Sequence, residues 1–234
     1  MSHYQRVNMI KRSVGLNMIK RSVGRPKTLN RQHVIDIALN EYWSHGINNV
    51  PLSKIAILAD VSRPGIYIEF GDEDALKAEV LKKYLEMSSD PVHDNYNNYK
   101  KYPNHLFNHF DGILNDGNKN LTNDSNYLNI KRPQKAKGCL LQRSILNKHN
   151  LGSVTLNIID KYQTKRLKQF EKYIKSAQAD GKFSKNLNPT FYSKFILAQF
   201  SLIQTLRLQE INKTEIENII NTALNTMLTK KHRL

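Results

Sequence analysis

GRPKTLNRQHVIDIALNEYWSHGINNVPLSKIAILADVSRPGIYIEFGDEDALKAEVLKKY, residues Gly24–Tyr84, is the stretch that decides the fold. A basic arm leads into short amphipathic segments spaced as helix, helix, tight turn, helix. The first segment begins after Asn30, an N-cap residue type, carries Ile35, Ala38, Leu39 and Tyr42 on one face, and ends at Gly46. The second repeats the stripe with Leu52, Ile55, Ala56 and Ala59, and Pro51 suits its first helical position, where a missing N–H costs nothing. Asp60-Val61-Ser62 then breaks the pattern. Ser62 is placed to cap a third helix with Arg63 and Pro64 in its first turn. Ile66 and Phe70, four apart, face inward and leave Arg63, Gly65, Tyr67 and Ile68 outward. A short helix with a basic, hydroxyl and apolar outer face fits a DNA major groove, where arginine forks onto guanine and apolar groups meet the thymine methyl.

Helix-turn-helix patterns are weak signals, because any three-helix core produces them. The continuation Ile66-Tyr67-x-x-Phe70-Gly71-Asp72-x-x-Ala75-Leu76 is more specific. Together with Gly24-Arg25-Pro26-Lys27, Ile35-x-x-Ala38, Gly46, Leu52-x-x-Ile55-Ala56 and Val61-Ser62-Arg63-Pro64-Gly65, it resembles the N-terminal domain of TetR-type transcriptional repressors. The resemblance implies an all-α homodimer with a recognition helix near Ser62–Glu69 and a C-terminal domain that binds a small-molecule inducer. It also implies a repressor that holds a palindromic double-stranded DNA operator. Arg25 and Lys27 would lie on the DNA backbone, and Ser53, Ser62, Arg63, Pro64, Gly65, Tyr67 and Ile68 in or beside the major groove. Two departures stand out. Glu73 occupies a place where many members carry a phosphate-contacting lysine, and with Glu69, Asp72 and Asp74 it forms an acidic patch expected to repel DNA. Val50-Pro51 replaces a hydroxyl pair before the second helix.

Composition is compatible with this reading. The formal charge of +16 favours a polyanionic partner. That leaves a non-specific basic DNA-binding protein and a membrane-surface binding module as alternatives from other classes. A single cysteine excludes an intramolecular disulfide, the N-terminus lacks the apolar run of a secretory signal, and no stretch is long and apolar enough to span a bilayer. The expectation is a cytoplasmic protein with no membrane partner. Asn8–Gly15 recurs as Asn17–Gly24, and no acid precedes Asp36. The first 24 residues therefore read as a flexible basic arm, with a recent and nearly dispensable duplication as the other reading of the repeat itself, 25–76 as the DNA-binding unit, and 77–234 as a ligand-binding and dimerisation unit.

In that last unit Leu76, Val80, Leu81 and Tyr84 extend a connecting helix, and a polar, Asn- and Tyr-rich junction follows around Ser88–Tyr102. Leu106, Phe107, Phe110, Ile113 and Leu114 mark another helix, Asn115–Asn126 a loop, and Lys131–Lys137 a basic patch. Gly138-Cys139-Leu140-Leu141 opens the next helix, and Leu151–Ala179 reads as one long helix. Asn188-Pro189 starts a helix that is apolar almost all round to Leu208, and Asn212-x-x-Glu215 resembles a capping box before a final stripe. These two helices are expected to form a four-helix bundle with a second subunit through Phe195, Leu202, Leu206, Ile216, Ile219, Ile220, Ala223, Leu224 and Met227. Phe107, Phe110, Tyr127 and Tyr162 are the expected lining of a ligand pocket. His105 and His109 share a helix face with metal-ligand spacing, but no third ligand is placed by sequence, so they read as a polar face. Cys139 reads as a small buried residue. There is no nucleophile elbow, phosphate-cradling loop or paired carboxylate, so the chain is not expected to be an enzyme or to need a cofactor or metal.

Overall fold

The computed structural model describes residues 29–89, 104–114, 133, 136 and 138–232. Its first four helices begin and end where local chemistry directs. α1 spans Arg31–His45: the Asn30 side chain accepts from the His33 amide at 3.1 Å, and Gly46 stops the helix with φ +97°, a conformation open to glycine. α2 spans Leu52–Leu58. Pro51 sits one place earlier than expected, at the cap with extended backbone, so α2 starts without a side-chain cap. The turn after it puts Asp60 in the left-handed region (φ +52°), and the Val61 amide reaches back to the Ala56 carbonyl at 3.0 Å. α3 spans Arg63–Phe70, with Ser62 Oγ accepting from the Gly65 amide at 3.1 Å and Gly71 ending the helix at φ +91°. α4 spans Glu73–Tyr84, with the Asp72 carboxylate accepting from the Ala75 amide at 2.7 Å, and it widens into a π turn over Leu85–Ser89.

Five more helices follow: α5 (Asn104–Leu114), α6 (Leu140–Leu146), α7 (Ser153–Ala179), α8 (Pro189–Leu208) and α9 (Lys213–Asn225). Asn188 caps α8 by accepting from the Phe191 amide at 2.9 Å. Asn212 caps α9 through the Thr214 amide at 2.8 Å, a shorter loop than the capping box expected with Glu215. The architecture is all-α, as expected. Its one isolated β-bridge among the described residues pairs Phe183 with Leu228 and ties the segment after α9 to the end of α7. No helix among the described residues is long and apolar enough to cross a membrane.

Two cores result. The first gathers Val34, Ala38, Tyr42, Ile55, Ile66, Leu76 and Leu81 from α1–α4 with Leu140 and Leu141 of α6 and Ile159 and Tyr162 of α7. A boundary at residue 76 thus falls within α4, whose Val80, Leu81 and Tyr84 still belong to this core. The second gathers Leu106, Phe110, Phe170, Tyr173, Ile196, Phe200, Ile216 and Leu224. α7, 27 residues and therefore about 40 Å long, contributes to both. The N-terminal repeat, Arg25, Lys27, the polar junction beyond Ser89, the Asn115–Asn126 loop, Tyr127 and most of Lys131–Lys137 lie outside the described residues.

Candidate nucleic-acid interface

Helix α3 owes its position to two side chains. Ile66 and Phe70, one turn apart, are buried in the first core, where α3 packs on α2 and α4. The opposite face then turns to solvent with Arg63, Pro64, Tyr67 and Ile68, all exposed and arranged as two rows, Arg63–Tyr67 and Pro64–Ile68. An Arg63 guanidinium nitrogen lies 3.4 Å from the Tyr67 hydroxyl and donates to it. The other residues expected here differ. Ser62 is exposed but its Oγ is committed to the cap, Gly65 is half-buried, and Ser53 is half-buried on α2. A Cβ at Gly65 would stand 3.1 Å from that same Ser62 Oγ, so its lack of a side chain serves packing within the turn.

Arg31 was not singled out by sequence, yet it holds the far end of α3. One guanidinium nitrogen donates to the Glu69 carbonyl and to its carboxylate, both at 3.2 Å, while the other reaches Glu79 at 3.3 Å and the group lies 4.4 Å above the Phe70 ring. It thereby satisfies a C-terminal carbonyl of α3 and pairs the only acid of that helix. The available signal was a basic residue in the first turn of α1, where the helix dipole disfavours a cation unless something else holds it. Lys82, and after it Arg31, hold the Glu79 carboxyl below the usual range.

The acidic patch expected to face DNA is largely committed to internal contacts. Glu69 pairs with Arg31, Asp72 caps α4, and Glu73 pairs with Lys77 at 2.9 Å. Asp74 turns away from α3 altogether. Its carboxylate accepts from the amides of Gly152 (3.1 Å) and Val154 (2.8 Å), and the Thr155 hydroxyl donates to its backbone carbonyl at 3.0 Å. Asp74 is the N-cap of α7, supplied from another helix because Gly152 has no side chain to offer. A Cβ at Gly152 would overlap that carboxylate.

A second joint forms along α6. Trp43 Nε1 donates to the Gly138 carbonyl at 3.0 Å, Arg143 donates to the Trp43 carbonyl at 2.9 Å, and Asn48 Nδ2 donates to the Asn147 carbonyl at 3.2 Å. Cys139, half-buried, caps α6 and receives the Tyr84 hydroxyl at 3.2 Å. Burial first, and the neighbouring thiol second, push the Tyr84 hydroxyl far above its ordinary range, so it stays protonated and donates.

The residues expected at a subunit interface divide. Ile216, Ile220, Leu224 and Met227 are buried within the protomer's own second core, because α9 turns that side of its stripe onto α8 and the end of α7. Phe195, Leu206, Ile219 and Ala223 are half-buried, and Leu202 is exposed. Phe191, Phe195, Ala198 and Leu202 recur at helical spacing on the outer side of α8, opposite Ser193, Ile196, Phe200 and Ile203. The expected pocket residues also separate. Phe110 stacks on Phe200 (4.3 Å between centroids) and Phe107 packs beside it, whereas Tyr162 belongs to the first core. Arg166 spans the gap, its guanidinium 5.8 Å from each of the Tyr162 and Phe200 rings. His105 and His109 do not form the polar face read from sequence. Both are buried, with His109 4.3 Å from Phe200, and burial, then Arg166 and His105, hold the His109 imidazole well below its usual range and so neutral.

No protein-family model matches the chain. The HTH-type transcriptional repressor ComR of Escherichia coli (strain K12) is 30% identical over 63 residues, 27% of this chain, and the match spans 30% of ComR's length. Over most of the chain the likeness is to solved structures. NemR of E. coli in its reduced form superposes with a TM-score of 0.65 at 13% identity, covering 85% of this chain and 96% of NemR. A cysteine-substituted form of the TetR-family regulator CifR, complexed with a 26-base-pair operator duplex, gives 0.65 at 15% identity over 87% of this chain and 100% of CifR. A TetR-family regulator from Cytophaga hutchinsonii gives 0.66 at 13% over 86% and 95%. At these identities the likeness is one of fold.

Proposed function

Because this chain has the fold of the TetR-family transcriptional regulators, we propose that it is one of them: a homodimeric repressor that binds a palindromic DNA operator and is released by a small molecule. The observation that carries the reading is α3, a capped helix anchored by Ile66 and Phe70 and presenting Arg63, Tyr67 and Ile68 as a free face. CifR in its operator complex supports it, since that fold holds duplex DNA. Arg25 and Lys27 would add phosphate contacts, and the formal charge of +16 suits the partner.

Dimerisation is supported by the outward apolar row on α8, with Ile219 and Ala223 of α9 beside it. A second copy would cover it and set two readers about one helical turn of DNA apart. The inducer would enter the second core near Phe107, Phe110 and Arg166. A ligand preferring a shifted α7 would move the Asp74 joint and with it α4, so that the readers no longer match the half-site spacing.

The test is a selection of duplexes from a random pool by the full chain, followed by competition with random DNA. A repressor retains a selected palindrome at least about 1,000-fold over random sequence and binds it as two chains per duplex. Equal binding to all duplexes would instead make it a basic DNA-coating protein.

A further inference from the structure

Ile68 is 87% exposed, the most exposed large apolar side chain among the described residues, and it stands on the face of α3 that the core anchors force outward. Exposing a β-branched side chain at the crest of a helix gains nothing for the fold, and isoleucine is not among the better helix formers. Its neighbours narrow what it can meet. Pro64, one turn earlier in the same row, is apolar and donates no hydrogen bond. Glu69, which would otherwise accept from a cytosine amino group, is held by Arg31 on the other side. Arg63 leans toward Tyr67 rather than toward Ile68. The Pro64–Ile68 row therefore offers a DNA base edge an apolar surface alone, and the apolar group in the major groove is the thymine C5 methyl.

We propose that Ile68 is a specificity-determining residue that selects a thymine in each operator half-site by packing on its methyl group. This rests on the DNA-reading function proposed above. Arg63 and Tyr67 supply the polar half of the reading face and Ile68 the apolar half, so each half-site should pair a guanine-type contact with a nearby thymine.

The full chain is used to select a duplex from a random pool. In that duplex each thymine of one half-site is then replaced singly by uracil, which removes only the methyl group. The wild-type protein should lose about fourfold in affinity at one thymine per half-site. Ile68→Ala, which removes the contact from both half-sites, should bind the parent duplex about 16-fold more weakly than wild type does, and should not distinguish it from the uracil duplex. Taking thymine and uracil through both proteins cancels any effect of the methyl on DNA shape. Ile68→Ala removes an exposed side chain, and an unchanged thermal midpoint confirms an intact fold. If Ile68→Ala still loses affinity on uracil substitution as wild type does, or if no thymine is sensitive, the assignment is wrong while the repressor reading stands. If the pool yields no preferred duplex, both fall.

Discussion

The two cores differ in where their instructions come from. Around α1, α3 and α4 the helix ends are set locally: Asn30, Ser62 and Asp72 cap the helices they precede, and Gly46 and Gly71 end α1 and α3. Farther along, α8 and α9 are also capped locally, by Asn188 and Asn212, but the start of α7 and the faces of α9 depend on distant partners. The long α7 begins at a glycine that contributes no cap and takes Asp74 from α4 instead, while the stripe of α9 is shared between an inner and an outer side. The α1–α4 unit is thus joined, through a borrowed cap at Asp74 and through the joint along α6, to a body whose faces are set by packing.

The largest expected effect separates the two sides of α9. Leu224→Glu places a charge in the second core and should cost more than the few kcal/mol that hold such a domain together, so the protein unfolds or precipitates. Leu202→Glu with Ile219→Glu, on the outer side, should leave a folded chain by circular dichroism but convert it to a monomer in sedimentation. Operator affinity should then fall by about 100-fold or more, since one reader must bind without its partner. A folded dimer from that double variant would place the interface elsewhere.

Next is the clamp on α3. Arg31→Ala frees Glu69 beside the DNA and leaves the end of α3 unheld, and it should weaken binding to all duplexes by about tenfold, with a matching fall in thermal stability of about 1–2 kcal/mol. Arg31→Lys should recover only part of this, because an ammonium cannot span Glu69 and Glu79 as a fork does. Full recovery would reduce Arg31 to a charge near the DNA.

The joint between the regions comes third. Asp74→Ala removes the cap of α7 and should cost about 1–2 kcal/mol in denaturant unfolding. Gly152→Ala should cost a similar amount by displacing the same carboxylate, and the double variant should cost little more than either alone. Additive losses would show that the two residues act independently.

The smallest effect is on pH. His109 has its imidazole held below the ordinary value, so between that depressed value and about 6.5 the unfolded chain binds a proton that the folded chain does not. Stability therefore falls as pH drops below about 6.5, by no more than about 1.4 kcal/mol per unit. His109→Gln should flatten this part of the profile without altering behaviour between pH 7 and 8. The Glu79 carboxyl on α4, also held low, loses its contribution only at more acid pH.

The sequence by itself determined where α1, α3 and α4 begin and which side of α3 turns inward. Cap residues, glycine stops and the Ile66–Phe70 spacing act within a turn or two of the chain, so they can be read before any tertiary contact is known. They fixed the bounds of α3 and the outward set Arg63, Tyr67 and Ile68. The chain could not reveal what lies across space. Arg31 reaches Glu69 over 38 positions, Asp74 reaches Gly152 over 78, and His109 is buried against Phe200, which arrives from α8. An apolar stripe reports that a face is covered but not by what, which is why Leu202 and Leu224 looked alike in sequence and only packing told the outer side from the core.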